Sequence, residues 1–402
     1  MIESDNKLVV VYLPREWHIY QRRPHWLALS KHYQLLMIEP VVGILTAWKH
    51  PKRILELLKG KRLRRGEKGI YFYRPLLLAS PLVDFVVSPL AKIDRFLMKR
   101  ILKKIIDKLP AQFKHLIAFI NNVHQYHFAK LQAHELCVYE VTDLGLLPHG
   151  QQTLDESHWY TKKAMKHESK LVSVADIIIT SSKLIGEKWR TVHSNIQYLP
   201  NCADFSHFSR AVDEDLAVPS ELSNIPPPRL GFVGYINHLI DFELVNKLAI
   251  AKKNVSIVII GSEQRITGIH KDAHYRQSQK ITNIHFLGFK PYNELPKYLK
   301  GFDVCLMPFR LNEWMRYSAP NKVYQYLAAG KPVVSTNFTE TEVAKDVISI
   351  ARDHQGFIDS VTNLLNESNT DNKHRRLAFA KEHSTEARAE KVAAIINATL
   401  RN

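Results

Sequence analysis

The chain has 402 residues, of which 45% are hydrophobic and 24% are charged. This length exceeds the usual size of one hydrophobic core, so two domains are expected, and the composition excludes a disordered or fibrous protein. The formal net charge of +17 indicates an anionic partner, for which nucleic acid, lipid head groups and phosphorylated small molecules are candidates. The cysteines Cys137, Cys202 and Cys305 lie far apart and form no zinc-binding pattern, which favours a reducing cytosol.

No secretory signal and no membrane-spanning segment are predicted. The first residues enter an apolar run without a basic leader or a small-residue cleavage site. The most apolar long stretch, residues 76–93, is interrupted by Pro81, Asp84 and Pro89. Because a spanning helix needs about 20 mostly uncharged residues, this stretch is not predicted to cross a bilayer.

The N-terminal half alternates short apolar runs with helical patterns. This alternation predicts a parallel sheet with helices on both faces, in which ligands bind beyond the carboxyl ends of the strands. The predicted strands are residues 8–13, 35–38, 115–120, 136–141 and 176–180, and the predicted helices are residues 24–32, 159–174 and 183–192.

The loop after the first predicted strand is rich in arginine, histidine and tryptophan. Arginine binds phosphate or carboxylate through paired hydrogen bonds, and aromatic rings cover sugar rings. One interpretation is a site for an anionic or sugar-like ligand, and the other is a solvated loop that caps the next helix. The candidate binding residues are Arg22, Arg23, His25 and Trp26.

Two carboxylates lie at the end of the strand predicted at residues 136–141, Glu140 within it and Asp143 just after it. Asp143 and, less strongly, Glu140 stand where ligands bind in such a sheet, so they are candidates for a catalytic base or for acceptor contact. The alternative is that Asp143 caps a turn.

Basic residues are concentrated between positions 49 and 109. A helix is predicted over residues 91–109, where Ile93, Phe96 and Leu97 begin an apolar stripe and lysines occupy much of the remainder. Basic amphipathic helices attach proteins to anionic membranes, so contact with a membrane surface through residues 49–109 is expected. The alternative is that the stripe faces the domain core and the lysines are solvated.

A second domain is predicted after residue 228. Residues 209–228 are acidic, rich in proline and without periodicity, which is typical of an interdomain linker. Strands are then predicted at residues 230–233, 255–260 and 284–287. Gly234, in the turn after the first of them, would let backbone amides approach a diphosphate, although the glycine spacing does not match the dinucleotide fingerprint.

Residues 302–336 carry the strongest pattern in the chain. A short apolar strand leads into a polar loop, a helix predicted to begin at Pro320, and another strand. Lys322 in the first turn and Gln325 one turn later would face the crevice, where a phosphate group could bind. An ordinary β-α-β unit with a solvated lysine is the alternative interpretation.

Several motifs together resemble the GT-B-fold glycosyltransferases, particularly the bacterial enzymes of teichuronic acid and exopolysaccharide biosynthesis. The segment QRRPHWLA at residues 21–28 is similar to the family's Gln-Arg-Pro motif. The segment VYEVTD at residues 138–143 resembles the family's paired-acid strand. Glu168, together with the later segment ADIIITSSKL, resembles the family's segment in which a helix with Glu is followed by a strand with Asp and then by Ser. LPNCADFSHF at residues 199–208 resembles the signature that ends the N-terminal domain, and residues 302–336 resemble the donor-binding motif.

The resemblance implies two Rossmann-like domains facing across a cleft. It places an acceptor-binding domain at residues 1–208, the linker at 209–228, a nucleotide-sugar-binding domain at 229–375, and helices that pack back towards the first domain at 376–402. No metal or other cofactor is expected, because lysine, arginine and helix N-termini would neutralise the departing nucleoside diphosphate. The implied donor-binding residues are Lys322, Gln325, Arg310, Tyr235, Asn237, His238 and Asn321.

Three functions remain open on the sequence. The first is transfer of a sugar from a nucleoside-diphosphate-sugar, expected to be a UDP-sugar, to a lipid-linked or growing cell-surface polysaccharide on the inner face of the cytoplasmic membrane. The second is a catalytically inactive module that binds glycan, nucleotide-sugar or a partner transferase, since many relatives carry Glu where this chain has Gln325. The third is nucleic-acid binding, which is not expected because only the charge suggests it.

Overall fold

The computed structural model describes residues 7–13, 17, 22–44, 62–79, 88–129, 131, 134–142, 158–367 and 370–401. The predicted catalytic residue Asp143 lies outside these described residues, and so do residues 49–61 of the basic region predicted at 49–109. The predictions made for them stay predictions.

The N-terminal region forms a mostly parallel sheet covered on both faces by helices. The strands of this region are β1 (Lys7–Tyr12), β2 (Gln34–Ile38), β3 (Val42–Gly43), β4 (Leu63–Arg65), β5 (Tyr71–Tyr73), β6 (Leu76–Leu77), β7 (His115–Ile120), β8 (Leu136–Val141), β9 (Ile177–Thr180) and β10 (Ile196–Tyr198). The strands β3 and β6 pair with each other in a separate two-stranded sheet. Its helices are α1 (Arg23–Leu29), α2 (Ser88–Ile106), α3 (Tyr126–Ala129), α4 (Trp159–Val174) and α5 (Lys183–Trp189). Across the described residues, the main sheet has the order β10-β9-β8-β7-β1-β2-β5-β4, and its β4–β5 pair is antiparallel.

Both faces of this sheet are buried, which explains its continuous apolar strands. Successive residues of β1 point to opposite faces, so Val10 packs in the layer that contains Met98 of α2. Val11 packs in the opposite layer with Trp26 of α1 and with Val392 from the C-terminal end of the chain.

The C-terminal region forms a second parallel sheet. Its strands are β11 (Arg229–Val233), β12 (Ser256–Ile260), β13 (Ile284–Gly288), β14 (Val304–Met307), β15 (Val333–Thr336) and β16 (Ser349–Ala351), in the order β13-β12-β11-β14-β15-β16. The helices from residue 205 onward are α6 (Phe205–Phe208), α7 (Ser220–Ser223), α8 (Phe242–Ala251), α9 (Ala273–Ser278), α10 (Leu295–Lys300), α11 (Glu313–Tyr317), α12 (Lys322–Ala328), α13 (His354–Leu365), α14 (Thr370–Glu382) and α15 (Thr385–Arg401).

The segment predicted as a linker packs against the second domain. It contains the short helix α7, and Ala211, Leu222 and Ile225 are buried in the core of the C-terminal sheet. These apolar side chains explain how a proline-rich stretch without periodicity is nonetheless held in place.

The last helix, α15, returns to the N-terminal domain. The Tyr33 hydroxyl donates hydrogen bonds to the carbonyl oxygen of Ala393 and to Asn397 Oδ1, both at 3.0 Å. Where the chain crosses between the domains, the Ala203 amide donates to the His383 carbonyl at 3.2 Å and the Thr385 amide to the Ala203 carbonyl at 3.0 Å. The return of the C-terminal helix was predicted from the resemblance, and the structure confirms it.

The helix α2 exposes part of the apolar stripe predicted for it. Asp94 is fully buried, and its carboxylate accepts hydrogen bonds from the Leu78 and Ala79 amides at 2.8 Å, which compensate for its loss of water. With Asp94 turned inward, Ile93 and Phe96 lie on the outer face and are 48% and 53% exposed. The rotation of the helix is thus set by a buried acid that the apolar periodicity did not reveal.

Other helix boundaries agree with the sequence to within a few residues. The helix α4 spans Trp159–Val174 as predicted, whereas α12 begins at Lys322 instead of Pro320. No helix of the described residues combines the length and apolarity that a membrane crossing would require.

Candidate functional site

The strand order of the C-terminal sheet reverses between β11 and β14. Consecutive strands run outward from β11 to β12 and β13 on one side, and from β14 to β15 and β16 on the other. In open parallel sheets, ligands bind in the crevice at the carboxyl ends of the strands where the order reverses. The loop that follows β11, residues 234–241, lies at this crevice.

Backbone hydrogen bonds fix this loop to both neighbouring strands. On the β12 side, the Ile236 amide donates to the Ser262 carbonyl at 3.0 Å. On the β14 side, the Asp241 amide donates to the Pro308 carbonyl at 2.8 Å, and the Asp241 side chain caps α8. The loop is therefore a rigid edge of the crevice.

Lys322 crosses the crevice and reaches Gly234. A Cβ atom on Gly234 would lie 2.2 Å from Lys322 Cε and 2.7 Å from Lys322 Nζ, and Gly234 has a φ of +156°. A glycine is needed at this position because any side chain would displace the lysine. Gly261 is equally close from the other side, since a Cβ on it would lie 1.8 Å from the Gly234 carbonyl oxygen.

The ammonium group of Lys322 has no counter-ion in the part of the chain that the structure describes. Among the described residues it makes no hydrogen bond or ion pair, and its Nζ lies 5.5 Å and 5.7 Å from the ring centroids of Phe232 and Phe309. Burial lowers the pKa of Lys322 to about 8. A half-buried cation that faces aromatic rings and lacks a carboxylate is a binding partner for an anionic ligand.

The other residues predicted to bind the donor lie around this lysine, and they differ in whether their side chains are already engaged by other residues. Arg310 is already paired, since its guanidinium lies 2.6 Å from an Asp272 carboxylate oxygen. His238 has a buried Nδ1 without a partner, and burial together with Arg310 lowers its pKa. Asn237 Oδ1 accepts a hydrogen bond from the Leu239 amide at 3.0 Å, which holds the loop.

Three further predicted residues lie on the accessible rim. Tyr235 is 42% exposed, and Asn321 at the N-cap of α12 is also exposed. Gln325 is half-buried one turn after Lys322 on the same helix. The structure thus gathers the predicted donor residues from the β11 loop, the β14 loop and α12 around one crevice.

Glu140, predicted as a second catalytic acid, lies in an ion-pair cluster. Its carboxylate is fully buried and lies 2.5 Å from Arg22 and 2.8 Å from Arg388 of α15. The two guanidinium groups hold the pKa of Glu140 well below its usual range despite its burial. A carboxylate held this strongly in its charged form is a poor base, so the geometry gives Glu140 a structural role.

The predicted acceptor residues differ in accessibility. Trp26 is fully buried with its ring edge-on to Phe119, so it cannot cover a sugar ring in this conformation. His25 is buried next to the Glu140 cluster, and burial lowers its pKa. Arg22 binds Glu140, and Arg23 donates two hydrogen bonds to Glu67 at 2.8 Å and 2.7 Å.

The contacts between the domains were not visible in the sequence. Trp314 and Tyr317 of α11 pack against Val123 and Ala164 of the N-terminal domain. Glu340, after β15, accepts hydrogen bonds from the Lys183 amide at 2.7 Å and the Tyr198 hydroxyl at 2.8 Å. No local signal predicts these pairs, because each joins side chains that are far apart in the sequence.

Comparison with known proteins places this geometry in a family. Residues 227–367, which contain the whole crevice, match the family described as glycosyl transferases group 1. The chain carries a group 1 glycosyl transferase domain. Its predicted resemblance to the glycosyltransferases is thereby confirmed at the level of this domain.

One curated relative extends the match beyond the domain. The Bacillus subtilis (strain 168) protein TuaH, assigned as a teichuronic acid biosynthesis glycosyltransferase, is 24% identical over 217 residues. The match covers 53% of this chain and 53% of TuaH, so the chain spans about half the length of this relative.

Solved structures with the same architecture cover nearly the whole chain. Sucrose-phosphate synthase from Thermosynechococcus elongatus has a TM-score of 0.65 at 13% identity and covers 98% of this chain and 99% of its own. The trehalose-6-phosphate synthase of Burkholderia multivorans has a TM-score of 0.69 at 11% identity, with coverage of 98% and 99%. An E. coli trehalose-6-phosphate protein bound with UDP-2-fluoro glucose has a TM-score of 0.67 at 14% identity, with coverage of 96% and 98%. These similarities show the GT-B fold of two Rossmann-like domains, as predicted.

Proposed function

We propose that this protein transfers a sugar from a UDP-sugar to a lipid-linked or growing cell-surface polysaccharide acceptor. The observation that carries the proposal is Lys322, a desolvated cation that has no counter-ion among the described residues and lies in the crevice of a group 1 glycosyl transferase domain. A nucleoside diphosphate would supply the missing negative charge.

The choice of UDP is supported by a structural neighbour. The E. coli protein with the same fold was solved with UDP-2-fluoro glucose bound. Teichuronic acid biosynthesis, the assignment of TuaH, supports a polysaccharide acceptor and a hexosyl or uronosyl donor. Both points come from relatives, and the residues of this chain must be tested directly.

The reaction would proceed by attack of an acceptor hydroxyl on the anomeric carbon of the donor sugar. The bond between that carbon and the diphosphate oxygen breaks, the acceptor proton passes to a base, and the nucleoside diphosphate leaves. Lys322 would neutralise the charge that develops on the leaving group, so that the transfer needs no divalent metal. Asp143 is our proposed base, by its place after β8.

We further propose that α2 holds the protein on the inner face of the cytoplasmic membrane. Its exposed Ile93 and Phe96 are flanked by exposed cations. Apolar side chains among cations bind an anionic bilayer by insertion and by charge, each cation contributing about 1 kcal/mol. The exposed cations on this helix are Lys92, Lys99, Arg100, Lys103 and Lys104.

Vesicle flotation tests the membrane proposal. The wild-type protein is expected to float with vesicles that contain anionic phospholipid and to remain unbound with neutral vesicles. The double substitution Ile93→Ser and Phe96→Ser should weaken flotation at every salt concentration, whereas Lys99→Glu with Lys103→Glu should abolish it at low salt. A control substitution, Ile250→Ser, alters a residue that is 56% exposed on the other domain. Equal flotation of all four proteins would refute the proposal.

A donor panel tests the catalytic proposal. The purified protein is incubated with UDP-, GDP-, ADP- and dTDP-sugars and a lipid-linked oligosaccharide fraction, and release of nucleoside diphosphate is measured. We expect release from UDP-sugars that depends on the acceptor. Calorimetric titration with the same donors is run in parallel.

The second candidate function is a catalytically inactive binding module. It is favoured by Gln325, since many relatives carry Glu at the equivalent position. Donor binding by calorimetry without turnover across the whole panel would establish it. The absence of both binding and turnover would contradict the transferase and would leave only a module that binds glycan or a partner transferase.

A further inference from the structure

The strands β11 and β14 separate at the base of the crevice. Their pairing is limited to Leu230 with Val304 and Gly231 with Cys305. Beyond this point β11 continues along β12 as far as Val233, while β14 continues along β15. The last residue of β11 therefore has no β14 partner on that side.

The side chain of Tyr326 fills the place of the missing strand. Its hydroxyl accepts a hydrogen bond from the Val233 amide at 2.9 Å and donates one to the Val233 carbonyl at 3.3 Å. The neighbouring Gly234 amide points to the opposite side and donates to the Ile260 carbonyl of β12 at 2.8 Å. Both edges of β11 are thus satisfied, one by a strand and the other by a single hydroxyl.

Tyr326 also connects this strand end to the helix that carries Lys322. The tyrosine lies one turn after Lys322 on α12 and is fully buried, and its burial raises the pKa of the hydroxyl, which stays protonated. One contact therefore sets the position of α12 relative to the residue that precedes Gly234.

We propose that Tyr326 is a positioning residue for the donor diphosphate, an inference that rests on the proposed function. Its hydroxyl keeps β11 and β14 apart and fixes Lys322 Nζ over Gly234. Without the hydroxyl, the buried amide and carbonyl of Val233 lose their partners. They regain partners only if water enters or if the strand end moves, and the next residue, Gly234, packs directly against Lys322, since a Cβ atom on Gly234 would lie 2.2 Å from Lys322 Cε.

The test compares Tyr326→Phe with Tyr324→Phe. Both changes remove one hydroxyl from a buried tyrosine on α12, but Tyr324 stacks on Phe379 and His383 and lies away from β11. Calorimetric titration with UDP is expected to show about tenfold weaker binding for Tyr326→Phe and no more than twofold for Tyr324→Phe. The donor KM should rise by the same factor as the dissociation constant, while kcat stays within about threefold of wild type.

The outcomes separate this inference from the function on which it rests. A wild-type protein that binds no nucleoside diphosphate overturns both. A wild-type protein that binds UDP, together with a Tyr326→Phe variant of equal affinity, overturns the positioning role alone. A loss of active protein with an unchanged donor KM also overturns it, since that is the result of a merely structural residue. If Tyr326→Phe is unstable, the rise in melting temperature that UDP causes is measured for each of the three proteins. A smaller rise for Tyr326→Phe than for wild type and Tyr324→Phe then reports its weaker UDP binding.

Discussion

Two charged residues at the carboxyl ends of the two sheets have opposite surroundings. Glu140, at the end of β8, is fully buried between Arg22 and Arg388. Lys322 faces the end of β11, and no carboxylate pairs with it in the described part of the chain. Among the described residues, the chain supplies the counter-ions of Glu140 and none for Lys322.

This difference shows how a charged residue at the end of a strand can be assigned either a structural role or a ligand-binding role. Burial alone does not identify a binding residue, because Glu140 is the more deeply buried of the two and Lys322 is only half-buried. The decisive property is whether the protein pairs the charge: a paired charge stabilises the fold, and an unpaired one costs stability and favours a ligand. Five experiments test this distinction.

The largest effect is expected for Glu140→Gln. Loss of the carboxylate leaves two cations uncompensated, of which Arg388 is almost fully buried, and should lower the free energy of unfolding by about 3–5 kcal/mol. Denaturant unfolding measures this change. The control is Glu135→Gln, whose exposed side chain pairs with His115 at the start of β7 and should cost less than about 1 kcal/mol.

The same carboxylate should make the fold sensitive to acid. Its pKa is lowered on folding, so its contribution is complete above the unfolded value of about 4.5 and is lost as the pH falls below it. Equal stabilities of Glu140→Gln and wild type above pH 5 would contradict the structural assignment.

Lys322→Ala is expected to weaken UDP binding by about 100-fold. Stability should change by less than about 1 kcal/mol or should rise, because the ammonium group is desolvated and unpaired. Calorimetry and denaturant unfolding measure the two properties separately. Lys345→Ala, an exposed lysine of the same domain, is the control and should leave both properties unchanged. A marked loss of stability with normal affinity would reverse the assignment.

Raising the pH should weaken UDP binding through the same lysine. The pKa of Lys322 is about 8, so the protonated fraction, and with it the affinity, should fall by about tenfold between pH 7 and pH 9. Lys322→Arg keeps its charge over this range, and its affinity should be independent of pH. Parallel pH profiles for the two proteins would show that another group titrates.

The smallest effect is expected for Gln325→Glu. This change gives Lys322 a carboxylate three residues further along the same helix, which is the partner that the native chain lacks. The new pair should raise the pKa of Lys322 and weaken UDP binding by about two- to threefold. Tighter binding would mean that Gln325 contacts the sugar hydroxyls directly and that the carboxylate binds them better.

Much of the fold could be predicted because local periodicity reports which side of an element is buried. The strands β1 and β7 are apolar after their first residues, and the helix α4 begins and ends as its pattern indicated. Lys322 was also predictable, since its place in the first turn of a helix between two strands follows from neighbouring residues alone. Asp143 stays a prediction, because it lies outside the described residues.

Pairings between distant residues could not be predicted in this way. The role of Glu140 depends on Arg388, which arrives from the last helix, and Trp26 is inaccessible because α15 and β7 enclose it. The outer position of Ile93 and Phe96 depends on the buried hydrogen bonds of Asp94. Periodicity indicates that a stripe is apolar, but a single buried acid decides how the helix is rotated.

The sequence by itself determined two α/β domains, the crevice lysine and the glycine beneath it, because these depend on residues close together in the chain. Only the tertiary structure decided which charges are paired and that the Tyr326 hydroxyl replaces a strand at the end of β11. Hydrogen bonds and ion pairs act over about 3 Å, whereas their partners here come from any part of the chain, so their identity is settled only by folding.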